Sequence, residues 1–98
     1  MKAIQMTGVG GPEVLEIAEI ETPEPGDGQV LIKVTATSVN RADISQRRGN
    51  YPPPKGDSEI LGLEVTGIVE KLGPGVGNCV SGDRVMSLVG GGGYAEYA

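Results

Sequence analysis

Between Asn40 and Tyr51 the chain gathers the side chains best suited to holding a ligand. Asn40 offers an amide that can address a ligand hydroxyl, and its oxygen can at the same time cap a helix. Tyr51 offers a flat ring and one hydroxyl at the head of Pro52-Pro53-Pro54, a stiff extended loop. Such a ring can cover a planar ligand, and packing against the prolines is the plainer alternative. Arg41 and Arg47 could meet a phosphate, although a solvated helix face accounts for both. Asp43 can pair with either arginine or close a capping box with Asn40. Glu64 interrupts the apolar stretch Leu61-Gly62-Leu63-Glu64-Val65, so its carboxylate is either on a wet face or buried with a partner.

Other candidates carry less. Asp83, in Gly82-Asp83-Arg84-Val85, organises a turn through backbone hydrogen bonds. Cys79 lies among Gly and Asn with no activating neighbour and reads as an inert thiol. A phosphate loop should join a strand to a helix. The run Gly90-Gly91-Gly92-Gly93 is followed instead by strand-like Tyr94-Ala95-Glu96-Tyr97, so it reads as a turn. No dinucleotide fingerprint is present.

Composition removes whole classes of chemistry. With no His there is no imidazole general base, and one Cys can form neither an intrachain disulfide nor a His/Cys zinc site. No metal ligand set is expected. No apolar run approaches the roughly 18 residues of a membrane span, and the first residues lack a signal peptide's apolar stretch. Thirteen acidic residues against eight basic ones give a formal net charge of -5. An acidic chain with three aromatics, all Tyr, is a poor nucleic-acid binder. The expectation is a soluble, cytoplasmic, β-rich domain. The charge is uneven: Lys33, Arg41, Arg47, Arg48 and Lys55 face only Asp43 across residues 29–56, while both flanks are acidic. That middle third is either a solvated mixed surface or one that faces something anionic.

The elements that must position these residues are short. The 98 residues include 17 Gly and 7 Pro, and no Phe or Trp, so a single modest core must come from Val, Ile, Leu, Ala and Met. Residues 2–7 and 14–20 read as two strands. Residues 29–39 alternate with period two, Val30, Ile32, Val34 and Ala36 on one face and Lys33, Thr35 and Thr37 on the other. Residues 62–72 and 83–89 give two more strands, with Gly62 and Gly67 marking a bend or a close backbone approach. Residues 94–98 look like a strand barely begun. Asn40 to Gly49 breaks the pattern and predicts one short helix, capped by Asn40 and stopped by Gly49. Short strands separated by turns indicate a small barrel or sandwich.

Five motifs in order carry a resemblance: Val39-Asn40-Arg41-Ala42-Asp43, Gly49-Asn50-Tyr51-Pro52, Leu61 through Val69, Gly73-Pro74-Gly75-Val76 and Gly82-Asp83-Arg84-Val85. They resemble the N-terminal, GroES-like catalytic domain of medium-chain dehydrogenases/reductases, and within it the zinc-free quinone oxidoreductases of the zeta-crystallin type, closest to the stress-inducible branch. The resemblance implies a mainly β fold, a GroES-like partly open β-barrel with one short helix. Zinc alcohol dehydrogenases of this superfamily have a Cys ligand near the position of Asn40, and a His where this chain has Leu63. Loss of both leaves no Lewis acid for alkoxide stabilisation. The implied activity is hydride transfer from NADPH to a quinone or conjugated carbonyl. The implied site is Asn40 on the nicotinamide ribose and Tyr51 over the nicotinamide, orienting the acceptor; Tyr51 is thus both the catalytic and a cofactor-binding residue.

The family continues into a Rossmann domain that grips the nucleotide. The expectation is therefore that residues 1–98 are a GroES-like catalytic domain incomplete at its C-terminal end, without its Rossmann half and with negligible turnover alone. The parent enzyme would be a homodimer. The alternatives are a stand-alone GroES-like interaction module or a short regulatory isoform without redox activity.

Overall fold

The computed structural model describes all 98 residues. Strand β1 (Lys2–Met6) is followed by a single 3-10 turn at Pro12–Val14 and by β2 (Leu15–Glu19). Strand β3 (Val30–Thr37) leads into helix α1 (Arg41–Arg47), and β4 (Glu64–Leu72) and β5 (Arg84–Leu88) complete the set. Strands β1 and β2 pair antiparallel, and β3, β4 and β5 form an antiparallel sheet in that order. The architecture is the expected mainly β one, a partly open barrel with one short helix.

Residues 94–98 join the two sheets. On one side the Ile4 N–H donates to the Tyr94 carbonyl at 2.8 Å and the Glu96 N–H to the Lys2 carbonyl at 3.1 Å. On the other, the N–H groups of Val34 and Ile32 donate to the carbonyls of Glu96 (2.9 Å) and Ala98 (2.7 Å). What reads in isolation as a strand barely begun is the seam between β1 and β3.

Local sequence explains α1 well. A reciprocal capping box links Asn40 and Asp43, with the Asn40 N–H donating to Asp43 Oδ2 at 3.0 Å. At the other end Gly49 takes a left-handed φ of +85°, which a side chain would strain. Arg47 departs from the solvated role expected of it. Its Nε donates to the Gly10 carbonyl at 3.1 Å, and the Gly10 N–H returns a bond to the Arg47 carbonyl at 2.9 Å, so Arg47 ties the β1–β2 connection to the helix.

The regular alternation expected of β3 does not hold along its length. The ladder to β4 slips between Leu31 and Ile32 and again between Val34 and Ala36. Each slip changes the face a residue presents. Leu31 and Ile32 are consequently both buried, and Ala36 is exposed. The buried apolar residues are Ala3, Leu31, Ile32, Leu61, Val65 and Val69, each Leu, Ile or Val side chain contributing on the order of 1.5–3 kcal/mol. Methionine is not among them. Met86 is 85% exposed on β5, because that strand has its free face turned to solvent.

The glycine run 90–93 serves close backbone packing. The Gly92 N–H donates to the Ile60 carbonyl at 2.7 Å and the Tyr94 N–H to the Leu61 carbonyl at 2.9 Å. A Cβ on Gly91 would stand 2.4 Å from the Ser58 carbonyl oxygen. The run is a turn laid against residues 58–62. Asp83 does what its turn position implies, accepting the Val80 N–H on Oδ2 at 2.9 Å.

Candidate functional site

The end of β3, the start of α1 and the start of β4 converge on one polar cluster. Asn40 Nδ2 donates to Ser38 Oγ at 3.2 Å and to Glu64 Oε1 at 3.3 Å. The Ser38 hydroxyl donates to the same Glu64 oxygen. Glu64 thus resolves its two sequence readings by being half-buried with partners. The two donors hold its carboxyl below the ordinary value of 4.5, the Ser38 bond being the larger cause.

That depression has a pH consequence. A carboxyl whose folded pKa is lowered contributes stability that is present above its ordinary value and lost as pH falls through the folded one. Chemical denaturation at pH 7 and pH 3 should show an acid-side loss in the wild type that shrinks in Ser38→Ala. Equal losses in the two proteins would refute the assignment.

Behind this cluster lies a second, buried one. Asp43 is 2% exposed, and its Oδ2 accepts both the Asn40 N–H and the Tyr94 hydroxyl, the latter at 2.7 Å. Asp43 makes no ion pair with Arg41 or Arg47; the salt bridges in the molecule are Lys71 to Glu24 and the N-terminus to Glu19. Burial first, and then Asp43, push the Tyr94 phenol well above the ordinary range, so it stays a neutral donor. Tyr94 and Ser38 are the site residues that sequence reasoning missed. Ser38 had a signal: it stands two residues before Asn40 at a strand end, where period two returns side chains to one side. Tyr94 had none beyond following a glycine run.

Tyr51 stands apart from both clusters. It lies on a bend beyond α1, 48% exposed, with no side-chain hydrogen bond. Its ring is available to a ligand and is not absorbed into the core. Two grooves flank the end of β3. One, of about 340 Å³, is lined by Ser38, Glu64, Ala36, Met86 and Leu88. The other, of about 390 Å³, is lined by Ile4, Val34, Val39, Gly93 and Tyr94. Ala36 and Thr37 border both. Cys79 is a free, half-buried thiol remote in sequence from either cluster. No helix is long and apolar enough to cross a membrane.

Residues 26–98 match the alcohol dehydrogenase GroES-like domain family. The chain belongs to that family. Among proteins similar to this GroES-like domain is a quinone oxidoreductase of Lama guanicoe, 42% identical over the whole of this chain and 30% of that protein. The crystal structure of the human synaptic vesicle membrane protein VAT-1 homolog-like protein superposes with a TM-score of 0.90 at 38% identity, covering all of this chain and 32% of that one. A mycobacterial protein complexed with NADPH superposes with a TM-score of 0.84 at 41% identity, covering 99% of this chain and 30% of that one. The GroES-like domain described here therefore spans under a third of the length of these relatives. The similarity to quinone oxidoreductases agrees with the resemblance carried by the five motifs.

Proposed function

We propose that this domain is the acceptor-side wall of a zinc-independent, NADPH-dependent quinone oxidoreductase whose nucleotide-gripping Rossmann half is a separate domain. The observation that carries the reading is the polar cluster in which Asn40 is hydrogen-bonded to Ser38 and Glu64, the two that line a groove, in a chain 42% identical to a quinone oxidoreductase. Similarity to a structure complexed with NADPH supports the choice of nucleotide.

The residues present fit a nicotinamide nucleotide in kind. Asn40 keeps acceptor capacity for a ribose hydroxyl, and Tyr51 keeps an exposed aromatic face for a planar ring. NADPH, when bound, supplies a hydride to a quinone or conjugated carbonyl, an acceptor electrophilic enough to need no Lewis acid. The chain's own contribution is to bind and orient. Asn40 fixes the sugar, and Tyr51 covers the ring and excludes water from one face. The positions where zinc-dependent relatives place ligands hold Asn40 and Leu63, and a leucine cannot coordinate a metal.

The test joins this chain to the Rossmann half of a related reductase and follows quinone-dependent NADPH oxidation. Asn40→Ala and Tyr51→Ala should each lower kcat/KM by about tenfold or more, the worth of one well-placed interaction. A chelator should leave the rate unchanged. Rates unaltered by both substitutions would overturn the site assignment.

A further inference from the structure

We infer that copies of this chain join edge to edge, strand β2 of one pairing antiparallel with strand β5 of the next, with Glu19 opposite Arg84, Ile17 opposite Met86 and Leu15 opposite Leu88. The inference goes beyond the redox reading and does not depend on it. With residues 94–98 as the seam, the strands run β2, β1, 94–98, β3, β4, β5. Strands β2 and β5 are the two open edges, and they are not paired with each other within the chain. An open edge presents a row of unpaired N–H and C=O groups and accepts a further strand unless charge, proline or a covering element prevents it.

The parity of the ladders decides which backbone groups are free. The Val89 N–H donates to the Leu63 carbonyl and the Val69 N–H to the Asp83 carbonyl, so residues 83, 85, 87 and 89 turn their backbone groups toward β4. Arg84, Met86 and Leu88 turn theirs outward. On β2, the bonds from the Thr7 N–H to the Val14 carbonyl and from the Ile20 N–H to the Met1 carbonyl leave Leu15, Ile17 and Glu19 facing outward. The register sets outward residue against outward residue at all three positions. Its last pair is complementary group by group. The Leu88 carbonyl already accepts the Ser87 hydroxyl, and the Leu15 N–H already donates to the Pro12 carbonyl. What remains is the Leu88 N–H and the Leu15 carbonyl, a donor and an acceptor.

The side chains agree in the same register. Val85 is opposite buried Gly67 and Ala18 opposite buried Ala3, so both point inward and their neighbours Met86 and Ile17 point outward. Met86, Leu88 and Ile17 are 85%, 81% and 74% exposed, and pairing would cover them against one another. Arg84 meets Glu19, a cross-strand pair of opposite charge. The competing pairings are poorer. Two copies of β5 centred on Met86 would set each Arg84 against a Leu88. Two copies of β2 would bring together Glu13, Glu16, Glu19 and Glu21, an acidic edge with no cation among residues 13–21. Charge complementarity therefore selects the unlike edges. The contact is head-to-tail, and its products are rings or open chains of copies.

The test is sedimentation velocity on the 98-residue chain over about a hundredfold range of concentration. The wild type should gain mass as concentration rises. Met86→Lys and Ile17→Lys, each placing a charge on an exposed edge side chain, should weaken association about tenfold or more and leave the urea midpoint unchanged. Arg84→Glu and Glu19→Arg should each weaken it to a similar degree. A mixture of these two charge variants should recover association, because alternating copies set unlike charges against each other at every junction. Glu19 also lies 3.5 Å from the N-terminal amine, and Ile17→Lys tests the same edge without disturbing that pair. A chain that stays monomeric at the highest concentration overturns the inference. So does association indifferent to both lysine substitutions, or charge variants that mixing does not rescue.

Discussion

Gly67→Ala should abolish cooperative folding of this domain or cost on the order of 3–5 kcal/mol, a large part of the 5–15 kcal/mol that holds a small domain together. Gly67 is in the middle of β4, opposite Val34 in the ladder to β3. A Cβ built there would lie 2.0 Å from the Lys33 carbonyl oxygen and 2.8 Å from Ile32 Cγ2. The first of these is backbone, committed to the central pairing of the sheet, and it cannot swing aside as the end of a side chain could. Relief requires β3 and β4 to separate where Ile32, Val65 and Val69 form the core. Gly77→Ala is the matched control, since nothing lies within 4 Å of its Cβ position and its φ is outside the left-handed region. It should change stability by no more than about 0.5 kcal/mol. Urea denaturation of the three proteins checks the pair, and a Gly67→Ala midpoint close to wild type would show that the sheet is looser than its geometry.

Asp43→Ala should cost about 3 kcal/mol and loosen the start of α1. The carboxylate accepts two donors at once, the Tyr94 hydroxyl and the Asn40 N–H. Truncation strands both, and Tyr94 loses the partner for a hydroxyl held in partly buried surroundings. Asp43→Asn keeps an acceptor in the same place and should cost roughly half as much. Gln46, buried on the same helix at 3% exposure, makes the contrast. Neither of its side-chain polar atoms has a protein partner, so Gln46→Met should be near neutral or stabilising. Thermal denaturation orders the three variants. If Asp43→Ala proved no more costly than Gln46→Met, the Asp43–Tyr94 pair would be incidental.

The helix and its caps were legible because their causes are local. Asn40 and Asp43 are three residues apart, and the capping box they form needs nothing beyond that turn. Gly49 and Asp83 were legible for the same reason, each answering to its own backbone or to atoms three residues away. The five motifs likewise carried the family because they persist as strings of residues in order. The β3 alternation misled over Ala36, because where a ladder slips depends on the facing strand as well as on β3. The reading of Arg47 as solvated failed in a similar way: its partner, the Gly10 carbonyl, is 37 residues distant and carries no side-chain signature.

The candidate site divides along the same line. The residue types at positions 40 and 51 are written in the chain, and with them the chemistry of an amide and an exposed phenol ring. That Asn40 is held by Ser38 and Glu64, that Asp43 is buried beneath Tyr94, and that residues 94–98 seam two sheets together emerge only on folding. The physical reason is reach. Caps, turns and periodicity act within about four residues and are specified by neighbours along the chain. A hydrogen bond between residues 51 positions apart exists only once packing has closed the loop between them.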